Sequence, residues 1–271
     1  MTGEPAPAVL LYFMRYFLHL AYDGTAYHGW QVQLHSITVQ AEVNRCLSQV
    51  LRQPIGSQGS GRTDTGVHAS HQVAHFEADL PVGMTEALLL YRLRRALPAD
   101  IGALRLHPVP DSANARFDAE RRTYDYFVMT APDPFRRDQA LYLDRPLDVA
   151  AMNEAAGYLV GQFDFTTFSK VKGAESHYIC YCTEAGWHPT GHGSAPGGWR
   201  FRIRANRFVR GMVRLVVGTL LDVGRGKITP RQFQQLLWAQ KRVDAGSAAP
   251  ARGLFLSKVE YAPGLVPMED A

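Results

Sequence analysis

The sequence is poor in cysteine and lacks any long apolar run. Its 271 residues include only Cys46, Cys180 and Cys182, an odd and sparse set that argues against a disulfide framework and favours a reducing, cytoplasmic compartment. No apolar stretch reaches the ~20 residues that a membrane-spanning helix needs. Basic residues that would open a signal peptide are missing before Met14, so we expect residues 1–13 to be an extension without function.

Metal ligands are scarce as well. Cys180 and Cys182 form a C-x-C pair, with His177 and His188 nearby. A zinc site needs about four ligands at workable spacing. The pattern therefore predicts two side chains on the same face of one strand, and no metal site.

The composition is that of a globular, mildly basic protein. Hydrophobic residues make up 46% and charged residues 20% of the chain, so it can bury a full core. The net charge of +4 and the pI of about 9.0 permit a polyanionic partner without requiring one.

One basic cluster is typical of phosphate binding. Trp199, Phe201 and Ile203 alternate with arginines, which gives a strand one apolar and one basic face. Such clusters bind nucleic-acid backbones, although a solvated strand edge would look the same. The candidate RNA-binding residues are Arg200, Arg202, Arg204, Arg207 and Arg210.

Periodicity predicts an α+β chain in two similar subdomains, 14–115 and 116–262, with a tail at 263–271. Each is expected to be a mainly antiparallel sheet with helices on one face. The predicted strands are 16–22, 72–76, 103–109, 123–129, 199–205 and 254–261. Predicted helices follow Thr38, span 84–97, run from Asp148 to Gly161 and from Asn206 to Gly224, and begin again at Thr229-Pro230.

A glycine-rich segment with one central carboxylate, Asp64, stands out. It reads Gly59-Ser60-Gly61-Arg62-Thr63-Asp64-Thr65-Gly66-Val67-His68. It is a weak phosphate loop because no Gly-Lys-Ser/Thr follows. Its Asp-Thr-Gly also suits an aspartic protease, but that chemistry needs two carboxylates that share a proton. From these residues alone, a plain turn remains equally acceptable.

The same segment closely resembles the active-site motif of the TruA family of tRNA pseudouridine synthases, whose commonest form has alanine where Thr65 stands. The resemblance runs from about Arg15 to Tyr261, in ordered blocks. They include Tyr22-Asp23-Gly24-Thr25-Ala26-Tyr27-His28-Gly29-Trp30-Gln31, Arg121-Arg122-Thr123-Tyr124-Asp125-Tyr126, Asn206-Arg207-Phe208-Val209-Arg210-Gly211-Met212-Val213-Arg214 and Gly253-Leu254-Phe255-Leu256.

The resemblance implies a fold, an activity and a site. The two sheets would join around a central cleft, where a homodimer without cofactor or metal would isomerise uridines 38, 39 and 40 of the anticodon stem-loop. Asp64 would be the catalytic carboxylate, Arg214 its partner and Tyr124 a stacking ring, while Arg62 would help to hold the target nucleotide out of its stack. The alternative is a non-catalytic protein that binds and remodels tRNA.

Overall fold

A computed structural model describes residues 14–170, 177–191, 197–241 and 246–266. These ranges contain five α-helices and ten strands. The helices are α1 (Val39–Leu51), α2 (Glu86–Ala96), α3 (Val149–Gly157), α4 (Met212–Gly224) and α5 (Pro230–Ala239). The strands are β1 (Met14–Tyr22), β2 (Ser57–Gly59), β3 (His68–Ala78), β4 (Ile101–Val109), β5 (Ala119–Met129), β6 (Leu141–Tyr142), β7 (Gly161–Asp164), β8 (Ile179–Thr190), β9 (Gly198–Ala205) and β10 (Leu254–Tyr261).

The described strands form one mixed, mainly antiparallel sheet, which confirms the predicted α+β class. The order of its main path is β4-β1-β3-β10-β5-β9-β8-β7. The last strand, β10, lies in the middle, parallel to β3 and antiparallel to β5. Leu256 pairs with Ala69 on one side and with Tyr124 on the other. Because neighbouring strands lie about 4.8 Å apart, β10 brings the start of β3 close to the middle of β5.

Two apolar clusters cover the helix-bearing sides of the sheet. Helices α1 and α2 bury residues such as Leu47 and Leu93 in the first cluster, together with apolar residues of β1 and β3. Helices α3, α4 and α5 pack in the second cluster, where β9 contributes Phe201 and Ile203. The glycine-rich segment around Asp64 lies where the two clusters meet, because Val67 is buried in the second cluster while β3, which follows it, contributes to the first.

Local capping explains where several helices begin. Thr38, Asp148 and Thr229 each accept a hydrogen bond from a backbone N–H in the first turn of the following helix. Thr229 also completes a reciprocal capping box with Gln232, and Pro230 occupies the first turn. These three helix starts are confirmed, because the capping hydrogen bond depends on residues close in sequence.

Two predicted helix limits are wrong. The helix expected from Asn206 begins at Met212, because the Asn206 side chain accepts from the backbone N–H of Tyr181 and Gly211 takes the left-handed conformation before the first turn. The helix expected to end at Gly161 ends at Gly157, and Gly161, with φ +128°, begins β7. Each difference leaves an irregular segment beside a strand: residues 206–211 follow β9, and residues 158–160 precede β7.

Three further expectations concern the two termini, the cysteine pair and membrane-spanning helices. Residues 1–13 and 267–271 lie outside them, so the expected extension and most of the tail are untested. Cys180 and Cys182 are both buried in β8, as predicted for side chains on one face. Within the described ranges, no helix combines the length and the apolar character needed to cross a membrane.

A buried histidine, His19 of β1, lies against two partly exposed histidines, His71 of β3 and His107 of β4. Nδ1 of His19 is 2.8 Å from Nε2 of His71, and the rings of His19 and His107 are centred 5.1 Å apart. Burial, followed in order of size by His71, His107 and the cation of Arg105, lowers the pKa of His19 to about 3. His19 is therefore neutral in the folded protein near pH 7.

This histidine predicts acid sensitivity of the fold. The folded pKa of about 3 lies below the ordinary 6.5, so the unfolded chain takes up the proton first. Stability should fall as the pH drops from 6.5 towards 3, at up to ~1.4 kcal/mol per pH unit for this group. In chemical denaturation across that range, His19→Phe should flatten the decline, whereas His188→Phe, at an exposed position, should retain the wild-type slope. Equal slopes in all three proteins would contradict the assignment.

Candidate active site

The Asp64 segment is held at its base by β3. The N–H of Ser60 donates to the Val73 carbonyl at 2.7 Å, and its hydroxyl lies 2.5 Å from Oε1 of Gln72. Nε2 of Gln72 donates in turn to the Gly61 carbonyl at 3.0 Å. The backbone carbonyl of Asp64 closes a turn by accepting a hydrogen bond from the Val67 N–H at 3.1 Å. The backbone around the carboxylate is thus fixed at both ends.

A second segment, 24–30, forms a cradle beneath the Asp64 turn. The Trp30 N–H donates to the Thr63 carbonyl, and the Gly66 N–H donates to the Tyr27 carbonyl, both at 3.2 Å. Gly29 has φ +85°, and a Cβ at this position would lie 2.4 Å from the Thr63 oxygen. Glycine is required here because the backbone conformation and the close approach both exclude a side chain.

Arg214 is the cation that reaches the Asp64 carboxylate. It lies in the first turn of α4, and its Nη1 is 3.6 Å from Oδ2 of Asp64. The side chains of Arg214 and Asp64 are 20% and 28% exposed, so the pair is partly screened from water yet open to a ligand. Nε of Arg214 donates to the Ala249 carbonyl at 2.7 Å, which fixes the plane of the guanidinium.

Tyr124 lies on β5 beside this pair. Its ring meets that of Phe208 edge to face, with centroids 5.0 Å apart. Burial raises the pKa of Tyr124 to about 12, the nearby Arg122 opposes the rise, and the Asp64 carboxylate adds to it. Tyr124 is therefore a neutral hydroxyl near pH 7, which can donate a hydrogen bond while its ring offers an apolar surface.

Arg62 takes a different position from the other three. Its side chain is exposed, and its Nε donates to Oε1 of Gln31 at 3.1 Å. The structure thus places Asp64, Arg214 and Tyr124 together, with Arg62 at the rim, two residues before the carboxylate. The contact with Gln31 orients Arg62 without neutralising its charge.

The three arginines of β9 lie on the opposite face of the sheet from Tyr124. Tyr124 pairs in register with Ile203, so these two residues share a face, and the alternate positions point away. Arg202 forms two 2.8 Å hydrogen bonds with Asp125, and Arg204 forms similar bonds with Glu260. Arg200 lies 3.9 Å from Asp125. Their part in RNA binding stays a prediction, and carboxylates already offset much of their charge.

The arginines that follow β9 are nearer to the site. Arg207 contacts the ring of His177 at 2.9 Å, and Arg210 is exposed. Both flank Phe208, which contacts Tyr124. The irregular segment that replaces the expected start of the long helix therefore places Phe208 against Tyr124, with one of these arginines before it and the other after it in the sequence. Their binding role also stays a prediction.

Arg122 belongs to the surroundings of the site and was not among the sequence-predicted site residues. It is two positions from Tyr124 on the same face of β5, and its guanidinium donates to the backbone carbonyls of Ser60, Arg116, Ala119 and Asn206. It thus ties the base of the Asp64 segment to both halves of the chain. Arg122 lies in the block Arg121 to Tyr126, which resembles the family motif. Its hydrogen-bond partners are backbone carbonyls, so no pattern of side chains in the sequence could have predicted its role.

Comparisons with known proteins point to one family. A family model described as tRNA pseudouridine synthase matches residues 155–262. Curated proteins named tRNA pseudouridine synthase A are similar over most of the chain. The one from Parabacteroides distasonis is 43% identical over 256 residues, which cover 94% of this chain and 99% of that protein.

Two further relatives give the same result. The protein of that name from Bacteroides thetaiotaomicron is 47% identical over 248 residues, covering 91% of this chain and 90% of the relative. The one from Bacillus subtilis is 38% identical over 252 residues, covering 92% and 99%. The chain therefore belongs to the tRNA pseudouridine synthase A family, which confirms the resemblance given by its motifs.

The cradle predicts that Gly29→Ala impairs catalysis. The new Cβ would push the Thr63 carbonyl and shift Asp64, and a misplacement of ~1 Å can lower a rate by about 100-fold. The measurement is single-turnover pseudouridine formation in a tRNA substrate. Gly83→Ala is the matched control, because Gly83 has φ +81° but no atom within 4 Å of an added Cβ. Equal activity of the two variants would show that the cradle does not position Asp64.

Proposed function

We propose that this protein isomerises uridine to pseudouridine in tRNA, with Asp64 as the catalytic carboxylate. The observation that carries the proposal is the partly exposed Asp64, set on a turn fixed by two neighbouring segments, with the Arg214 guanidinium 3.6 Å away. Similarity to tRNA pseudouridine synthase A over 94% of the chain supports the same function.

The chemistry suits a single carboxylate. The bond between ribose C1′ and base N1 breaks, the base turns, and a bond forms between C1′ and C5. A proton leaves C5 and a proton is taken up at N1, so the product is an isomer and no electrons are exchanged with a cofactor. A carboxylate can serve as nucleophile or base in these steps. The protease alternative needs a second carboxylate, whereas in the described residues the ion-pair partner of Asp64 is Arg214.

Tyr124 and Arg62 have complementary parts in this proposal. The target uridine must leave its stack to reach Asp64, at a cost of a few kcal/mol. The half-buried ring of Tyr124, braced by Phe208, offers a surface on which the displaced uracil can stack. Arg62 at the rim of the site can bind a phosphate of the tRNA backbone, or it can fill the space in the stack that the target uracil leaves.

The finer points of the function rest on the family. We propose that the target uridines are those at positions 38, 39 and 40 in the anticodon stem-loop, and that the working form is a homodimer without cofactor. We further propose a cytoplasmic location, which the odd and sparse set of three cysteines in the sequence supports. The alternative of a non-catalytic tRNA-binding protein lacks a specific observation in its favour.

Asp64→Ala is the central test. Mapping of pseudouridine by chemical labelling in treated tRNA should show complete loss of the product, because the reacting carboxylate is gone. Binding of tRNA should stay within about twofold of wild type, since the charge that binds phosphate comes from other residues. Asp144→Ala, at an exposed position, is the control and should retain activity. Pseudouridine made by the Asp64→Ala protein would refute the assignment.

The two groups of arginines should differ in tRNA binding. Arg210→Ala removes an exposed cation near Phe208, so the affinity for tRNA should fall and the slope of log K against log salt should decrease by about 1. Arg202→Ala removes a cation already paired with Asp125, so the salt slope should stay unchanged. Titrations of labelled tRNA at several salt concentrations measure both slopes. Equal slopes for the two variants would contradict this division of roles.

A further inference from the structure

The residues 246–253, which we call the strap, cross the N-terminal part of α4. The Gly246 N–H donates to Oγ1 of Thr219 at 3.2 Å. At Ser247 the strap lies so close to the helix that a Cβ on Gly218 would be 1.8 Å from the Ser247 carbonyl oxygen. Glycine at 218 therefore allows the strap to rest directly on the helix backbone.

The strap holds Arg214 at two points. The Ala249 N–H donates to the backbone carbonyl of Arg214 at 2.8 Å, and the Ala249 carbonyl accepts from Nε of Arg214 at 2.7 Å. A guanidinium is a rigid planar fork, so a bond that fixes Nε also sets the direction of both Nη atoms. The direction set by Ala249 is the one that points Nη1 towards Asp64.

The next residues of the strap connect it to β5. The hydroxyl of Tyr126, a fully buried residue, donates to the Pro250 carbonyl at 2.9 Å. A Cβ on Gly253 would lie 2.7 Å from the Tyr126 ring, so the strap also packs on the ring itself. Tyr126 thus fixes Pro250, the residue after the one that holds Arg214.

The strap also reaches the segment that carries Asp64. The Arg252 carbonyl lies 3.1 Å from Nε2 of His68, and Nδ1 of His68 accepts from the Gly24 N–H at 3.1 Å. A Cβ on Gly66 would be 3.4 Å from that of Ala251, which is ordinary contact distance. The strap therefore contacts Arg214, strand β5 and the turn that carries Asp64.

We propose that the strap is a positioning device for catalysis, in which Tyr126 and Gly218 hold Ala249 where its carbonyl aims the Arg214 guanidinium at Asp64. The inference rests on the proposed function. Tyr126 is a positioning residue, because it is fully buried and acts through Pro250 and Ala249. The strap binds Arg214 through a neutral carbonyl, so the full positive charge stays available to the carboxylate.

Tyr126→Phe tests the device with the smallest change. It keeps the ring and removes the bond to Pro250, so we expect kcat in pseudouridine formation to fall about 10-fold while KM and tRNA affinity stay within about twofold. Thr167→Val is the matched control, since it removes a buried hydroxyl that donates to the Leu236 carbonyl, away from the strap. It should retain wild-type kcat. Gly218→Ala, which displaces Ser247, should lower kcat further than Tyr126→Phe does.

A double-mutant cycle shows whether Tyr126 acts through Arg214. Arg214→Lys keeps the charge but loses the Nε bond to Ala249, so adding Tyr126→Phe to it should change kcat by less than about twofold. A full 10-fold loss in that background, or wild-type kcat in Tyr126→Phe itself, would overturn the strap while leaving the proposed function intact. Absence of pseudouridine with the wild-type protein would overturn both.

Discussion

The pairing of β10 with both β3 and β5 is the interaction on which the site depends. Asp64 precedes β3, Tyr124 lies on β5, and these strands belong to different parts of the sequence. Only two residue pairs join β10 to β3, whereas seven positions of β10 pair along β5. The short parallel pairing of β10 with β3 therefore sets how close Asp64 and Tyr124 come. The side chains around this pairing help to maintain that distance.

Backbone carbonyls and carboxylates play different roles in holding the arginines. On the face of the sheet opposite Tyr124, Arg202 and Arg204 are bound by the carboxylates of Asp125 and Glu260, which cancel their charge. Beside Tyr124, Arg122 is bound by four carbonyls, and the Nε of Arg214 by one. A carbonyl orients a guanidinium without neutralising it. Arg122 therefore keeps its charge on this face, and the charge of Arg214 stays available to Asp64.

The sequence predicted local features well and long-range pairings poorly. The strand Leu254–Tyr261 was predicted with its observed limits, and the capped helix starts followed from hydrogen bonds between near neighbours. The family motifs brought Asp64, Tyr124 and Arg214 together. Periodicity could not reveal that β10 lies between the halves, because any strand of that pattern could pair elsewhere. The helix start predicted at Asn206 is wrong for the same reason, because the Asn206 side chain bonds to Tyr181, which is 25 positions away.

The central place of β10 has a consequence for how the protein is made. A nascent chain emerges from its N-terminus, so β3 and β5 leave the ribosome long before residues 254–261. Until then the edges that β10 will pair carry unsatisfied backbone groups, which are prone to wrong pairing with other chains. Asp64 and Tyr124 are therefore brought together late, and we expect a chain without β10 to be inactive because no strand then links its two halves.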